Sequence, residues 1–208
     1  MSDLWVFDLD GTLYDDKLAH AQWQRLVTVY IARRFNLPDK EADLFLRRLK
    51  QKWQTPFSLV AWKREYNSGV EELIQETYLR IDLAVCEIAS PDVERRRALE
   101  VLSERKIVFS NSPRGHIEQV LHYGGLLDLF SGTIGMQELG YCAKPEQRAF
   151  EIVEELYPDF DRIFFCDDDE KNLAVARERG WKTFWFAPGS ADRVRDGHQV
   201  VRSFAELR

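Results

Sequence analysis

Two carboxylates stand one residue apart in "WVFDLDGTLYDD", residues 5–16, where an apolar run stops at Asp8 and Asp10, Gly11 and Thr12 follow. Such a pair can divide the work of breaking an ester, because one carboxylate attacks while the other moves protons. On this reading Asp8 is the nucleophile that takes up a phosphoryl group. Asp10 protonates the leaving oxygen and later accepts a proton from the attacking water. Further along, Ser110 and Asn111 follow "KIVF", Asp167, Asp168 and Asp169 follow "IFFC", and Lys144 stands just before a helical pattern. Carboxylates buried close together cannot all stay ionised without a compensating cation. Asp8, Asp10, Asp167 and Asp168 offer oxygen only, with no His or Cys among the candidates, which favours Mg2+ over Zn2+. Because Mg2+ takes a few carboxylates together with a substrate phosphate, a small phosphorylated metabolite is the expected partner. The Lys144 ammonium would offset the charge of its phosphate, and Ser110 and Asn111 can donate hydrogen bonds to phosphoryl oxygens. Gly11 lets backbone amides approach closely, and Thr12 is counted with it among the phosphate-binding residues.

For these residues to meet, they must sit at the carboxyl ends of parallel strands, where ligands gather in an open α/β sheet. The runs "LWVF" at 4–7, "KIVF" at 106–109, "RIFF" at 162–165 and "KTFWF" at 182–186 are apolar without clean alternation, as buried parallel strands are. Helical patterns lie between them. One begins near Ser112-Pro113 with Ile117, Val120 and Leu121; a second has Pro145 at its first position and a stripe of Phe150, Val153 and Leu156. "DDDEKNLAVARERG" reads as a helix closed by Gly180 in a left-handed cap. The fold class is therefore α/β, a Rossmann-like doubly wound parallel sheet.

The segment 16–89 breaks that alternation. Trp23, Leu26, Tyr30 and Ile31 mark an amphipathic helix ended by "NLP" at 36–38, and "EADLFLRRLKQKW", "FSLVAWKREY" and "VEELIQETYL" read as three more, with loops at Thr55-Pro56 and Ser68-Gly69. We expect an inserted α-helical cap over 16–89, with 1–15 and 90–208 forming the core; Ser90-Pro91-Asp92 opens the returning helix.

Composition narrows the function classes. With 208 residues, 45% hydrophobic and 31% charged, the chain has room for one core domain with a smaller insertion. The sequence has no long apolar run or basic-then-apolar leader, so a cytoplasmic protein without a membrane partner is expected. A net charge of −6 argues against a nucleic-acid polymer as partner, and the runs Arg33-Arg34, Arg47-Arg48 and Arg95-Arg96-Arg97 read as solvated helix faces. Cys86, Cys142 and Cys166 are too scattered for a disulfide framework or a thiolate zinc site and read as small buried residues.

"FDLDGTLY" at 7–14, "VFSNS" at 108–112, Lys144-Pro145 and "FFCDDDEKNL" at 164–173 resemble, in order and spacing, the four motifs of the haloacid dehalogenase-like hydrolases. The resemblance implies a Rossmann-like core with a helical cap after the first motif, Mg2+ dependence and phosphatase activity. Residue by residue it implies Asp8 as nucleophile, Asp10 as acid/base, Ser110 and Lys144 as phosphate holders, and Asp168 as a metal ligand with Asp167 sharing that role. "DGTLY", "FSNSPRGHIEQVL", "GLLDLFSGTIG" and "DDDEKNL" further resemble the branch of pyrimidine 5′-nucleotidases, with departures at Gly11, Ser110 and Asp169. Dehalogenases, as a family, lack the second aspartate of the first motif, so Asp10 weighs against halide chemistry.

Each motif alone has a plainer reading: a capped turn, a solvated acidic loop, a surface lysine. Their ordered recurrence at strand ends favours catalysis. Trp23, Trp53, Trp62, Tyr66 and Tyr78 could shape a pocket for an aromatic base, but at helical spacings they read first as core of the insertion. His20, His116, His122 and His198 show no paired ligand spacing and read as ordinary residues. The expected function is hydrolysis of a small phosphomonoester, foremost a nucleoside monophosphate, by a monomer or homodimer. A sugar-phosphate or phosphoglycolate phosphatase, a phosphomutase, and a non-catalytic phosphate-binding regulatory module are the alternatives.

Overall fold

Leu4 and Val6 face one side of the first strand and Trp5 and Phe7 the other, and all four are buried. A strand apolar on both faces belongs in the middle of a sheet covered on both sides. The computed structural model, which describes residues 2–86, 92–102 and 104–207, has that arrangement. Strand β1 (Asp3–Phe7) pairs in parallel with β2 (Arg105–Phe109) and β4 (Arg162–Asp167). Outside them lie β3 (Gly132–Ile134) and β5 (Lys182–Phe186), also parallel to their neighbours. An edge hairpin of β6 (Val194–Arg195) and β7 (His198–Val201) completes the order β3-β2-β1-β4-β5-β7-β6.

The chain runs outward from β1 through β2 to β3, then returns to the other side of β1 as β4 and β5. The reversal falls between β1 and β4, so a crevice opens at their carboxyl ends. One face of the sheet packs Trp5, Phe7, Val108 and Cys166 against α5 (Val93–Val101) and α6 (Arg114–Tyr123). The other packs Leu4, Val6, Ile107, Phe109 and Phe165 against α7 (Gln147–Leu156) and α8 (Glu170–Glu178). Helix α8 ends as the sequence predicts: Gly180 has φ +84°, its N–H donates to Arg177 O, and the Trp181 N–H donates to Ala176 O.

Between β1 and α5, helices α1 (Lys17–Phe35), α2 (Asp39–Lys52), α3 (Ser58–Tyr66) and α4 (Val70–Glu76) bury their own apolar cluster around Trp62, Tyr30, Ile31 and Leu73. Met136 and Ala143, from the sheet half of the chain, complete that cluster. The pattern that reads as one helix through Leu79 breaks at Thr77. Its hydroxyl donates back to Leu73 O at 2.6 Å and the backbone leaves helical geometry, so Tyr78–Arg80 forms a separate 3-10 turn.

Other expectations need correction. Helix α7 starts at Gln147 with Glu146 as its N-cap, so Pro145 precedes the helix instead of opening it, and Leu156 at its far end is exposed. Cys142 is half-buried, while Cys86 and Cys166 are buried. Ser90 and Pro91 lie outside the described residues; Asp92 caps α5, accepting from the Arg95 N–H at 3.0 Å. Strands β3, β6 and β7 were too short to stand out as apolar runs, although Asp196-Gly197, both at positive φ, carries the signature of the β6–β7 hairpin turn. Among the described residues, no helix is long and apolar enough to cross a membrane.

Candidate active site

Where β1 ends, the Asp8 N–H still donates to Cys166 O at 2.9 Å, so the nucleophile candidate is fixed by the sheet itself. The chain then turns sharply, with Gly11 at φ +81°. A Cβ at Gly11 would lie 2.4 Å from Asp168 Oδ2, so only glycine lets the β1 turn and the β4 end approach this closely.

Lys144 arrives from the loop before α7 and is buried to 1% exposure. Its ammonium donates to Asp8 Oδ1 at 2.7 Å, Asp167 Oδ2 at 2.8 Å and Phe109 O at 2.9 Å, so every proton is used. The rings of Phe109 and Phe165 flank it. Burial opposes its charge, yet Asp167 and Asp8 hold its pKa above the ordinary lysine range. Asp167 also accepts from the Asp169 N–H at 2.7 Å and from Asn172 Nδ2.

Asp8, Asp167 and Asp168 bring carboxylate oxygens within 4.8 Å of one another. Burial pushes the Asp8 carboxyl well up; Lys144 pulls it down, and Asp167 and Asp10 push it further up. Asp168 stands at the rim, and partial desolvation together with Asp167 raises it to about 6. One ammonium among three converging carboxylates leaves excess negative charge, and the donors are all oxygen, a set that fits a hard divalent cation such as Mg2+.

Asp10 departs from the expected ligand set, because its carboxylate is absent from this triad. Tyr14 Oη donates to Asp10 Oδ1 at 2.6 Å, and Ser112 Oγ and Ser110 Oγ donate to Oδ2 at 2.7 and 3.3 Å. The two aspartates of the motif therefore occupy different chemical settings: Asp8 faces an ammonium and other carboxylates, Asp10 a cradle of hydroxyls.

The expected phosphate holders divide. Asp8, Asp10, Ser110, Asn111, Lys144 and Asp168 line one cavity of about 390 Å3, and Asp167 is fully buried behind them. Gly11 and Thr12 do not line it. The Gly11 N–H donates to Tyr14 O, the Thr12 N–H to Leu9 O, and Thr12 Oγ1 to Asp168 Oδ1 at 3.4 Å, so both build the turn and Thr12 also holds Asp168. Asn111 clamps the Lys144 backbone, accepting from its N–H at 2.8 Å and donating to its carbonyl at 3.0 Å. Asn111 is therefore a support for Lys144.

Tyr14, Ser112 and His116 are site residues that the sequence leaves unassigned, while Asn172, the last residue of the "DDDEKN" motif, is held against Asp167. Tyr14 and Ser112 were legible in principle, lying four residues after Asp10 and two after Ser110 within the quoted motifs. The helical layer adds Trp23, Phe57 and Tyr78 to the cavity wall, whereas Trp62 and Tyr66 belong to the core of that layer.

The family model of haloacid dehalogenase-like hydrolases matches residues 3–180, and the chain belongs to that family. Solved structures with the same fold include a HAD phosphatase from Thermococcus onnurineus, at 19% identity and TM-score 0.63 over 100% of this chain and 96% of that one. A 2-haloacid dehalogenase from Pseudomonas syringae pv. Tomato is similar at 18% identity and TM-score 0.64, over 100% and 96% of the two chains. The HAD-hydrolase YfnB from Bacillus subtilis, solved bound to magnesium, is similar at 18% identity and TM-score 0.56, over 99% and 96%. Phosphatases and dehalogenases thus share this fold, and the choice between them rests on the site.

Proposed function

We propose that this protein is a Mg2+-dependent phosphomonoester hydrolase working through an aspartyl phosphate at Asp8. The observation that carries the reading is the unequal treatment of the two aspartates of one turn. Asp8 Oδ1 is held by Lys144, while Asp10 is held apart by Tyr14 and Ser112. Displacement of a halide needs no proton donor, whereas an alkoxide leaving group does. A separately cradled second carboxylate therefore favours ester cleavage.

Asp8 attacks phosphorus through the oxygen not engaged by Lys144; the Asp8 O–P bond forms as the P–O bond to the leaving group breaks. Asp10 gives its proton to the departing oxygen. A water then attacks the same phosphorus, Asp10 takes up its proton, and the Asp8 O–P bond breaks to release inorganic phosphate. Lys144 keeps the Asp8 carboxylate oriented and offsets part of its charge. Asp8, Asp167 and Asp168 would hold Mg2+, which when bound supplies Lewis-acid neutralisation of phosphoryl charge.

The inserted segment, whose described part is residues 16–86, acts as a cap over this cavity, with its Trp23, Phe57 and Tyr78 supporting an aromatic substrate end. The cavity of about 390 Å3 suits a ligand the size of a nucleoside monophosphate, the substrate we favour, acted on in the cytoplasm by a monomer or homodimer. Phosphate release with Mg2+ from UMP, CMP, AMP, GMP, sugar phosphates, phosphoglycolate and p-nitrophenyl phosphate tests this. Selective hydrolysis of UMP and CMP supports the pyrimidine nucleotidase reading. Activity confined to sugar phosphates or phosphoglycolate removes the nucleotide, and silence across the panel by folded protein leaves a phosphate-binding module.

A further inference from the structure

Behind the cradle of Asp10 runs a buried polar chain that the reaction as written does not use. Tyr14 is 5% exposed and His116 2%. Tyr14 Oη donates to Asp10 Oδ1 at 2.6 Å, and His116 Nε2 stands 3.4 Å from the same hydroxyl. A phenol has one proton, and this one is spent on Asp10. With the imidazole proton on Nε2, His116 donates to the Tyr14 oxygen, which has a lone pair free to accept. That tautomer leaves His116 Nδ1 as an acceptor, which has no hydrogen-bond partner among the described residues. Burial lowers the imidazole pKa, against the pull of Asp10 and of the Tyr78 backbone. Burial and then Asp10 keep the Tyr14 phenol protonated. The Tyr78 ring stands edge-on to His116, closing the chain on the cap side.

We infer that Tyr14 and His116 are positioning residues for Asp10: His116 N–H fixes the Tyr14 hydroxyl, and that hydroxyl fixes the carboxylate plane from which Asp10 delivers its proton. The inference rests on the phosphatase reading. It adds a division of labour within the cradle, because Ser112 comes from the β2 end while the Tyr14–His116 chain joins the β1 turn to α6. Both oxygens of Asp10 are thereby held, by the segments that follow β1 and β2, and a carboxylate held at both oxygens loses rotational freedom that an acid catalyst otherwise gives up on each turnover.

The test compares two phosphate esters on the wild type and on Tyr14→Phe: an alkyl phosphate, whose alkoxide needs a proton, and dinitrophenyl phosphate, whose phenolate leaves without one. The value of kcat/KM covers steps only through phosphorylation of Asp8. Tyr14→Phe should lower it about tenfold or more for the alkyl ester and leave the aryl ester within about threefold. A second pair of variants isolates His116: His116→Leu should give the same ester-selective loss in weaker form, and His116→Gln, which keeps an N–H donor, should recover it. Equal losses on both esters, or none on either, overturn the inference while leaving the phosphatase reading intact. Indistinguishable Leu and Gln variants overturn the part assigned to His116. Wild-type silence on both esters overturns the phosphatase reading and this inference with it.

Discussion

The Lys144 ammonium bridges Asp8 and Asp167, at 2.7 Å from one carboxylate and 2.8 Å from the other, and its third proton goes to a β2 carbonyl. A cation so enclosed holds two strand ends together as well as serving chemistry. Lys144→Met should therefore abolish turnover and cost about 3–5 kcal/mol of stability, since it leaves two buried carboxylates without their counterion. Urea unfolding should show the loss to be larger at pH 8 than at pH 5, where protonation relieves the repulsion.

Asp10→Asn probes the separation of the two aspartates. It should slow hydrolysis of alkyl phosphates by about 10²–10⁴-fold. Mg2+ affinity, measured by titration calorimetry, should stay near the wild-type value, because the Asp10 carboxylate is engaged by Tyr14 and Ser112 and stands outside the acidic triad.

Asp168 predicts a pH dependence. Its folded pKa of about 6 lies above the ordinary 3.8, so the folded state keeps a proton that the unfolded state has already lost. Stability without metal should fall as pH rises through the window between those values, the sign opposite to that of a salt-bridged aspartate. Burial raises Asp8 in the same direction. A divalent cation held by the triad would bind the ionised forms and offset their cost. The rise in melting temperature on adding Mg2+ should accordingly be large above pH 7 and shrink below pH 6; a shift that grows on acidification would contradict the assignment.

Gly11→Ala should be tolerated poorly although Ala is small. The new Cβ meets the Asp168 carboxylate at 2.4 Å in a backbone conformation with φ +81°. We expect a loss of about 1–3 kcal/mol, together with weaker Mg2+ binding, as Asp168 is pushed from the triad. Calorimetric titration and thermal unfolding of the same sample check both.

The sequence made the central strands legible because Leu4–Phe7, Lys106–Phe109 and Arg162–Phe165 are apolar on both faces, a pattern few other elements share. Strand β3 escaped because three residues beginning with glycine carry too little pattern. The convergence of Asp8, Asp167 and Lys144 was legible because the two aspartates follow apolar strand-like runs and Lys144 stands just before a helical pattern. What Gly11, Thr12 and Asn111 do was not, since residue type cannot say whether a donor points to a ligand or to its own backbone. His116 was hidden for the same reason: a lone histidine on an apolar helix face looks like core until the fold sets Tyr14 beside it.

The proposed reaction requires Asp8 to become phosphorylated, and the most direct measurement is acid-quenched peptide mapping of wild type and Asp10→Asn after reaction with a radiolabelled phosphomonoester and Mg2+. A hydroxylamine-labile acyl phosphate should appear on the peptide carrying Asp8, longer-lived in Asp10→Asn and absent in Asp8→Asn. Phosphate release without any label on Asp8, or label mapped to another residue, would contradict it.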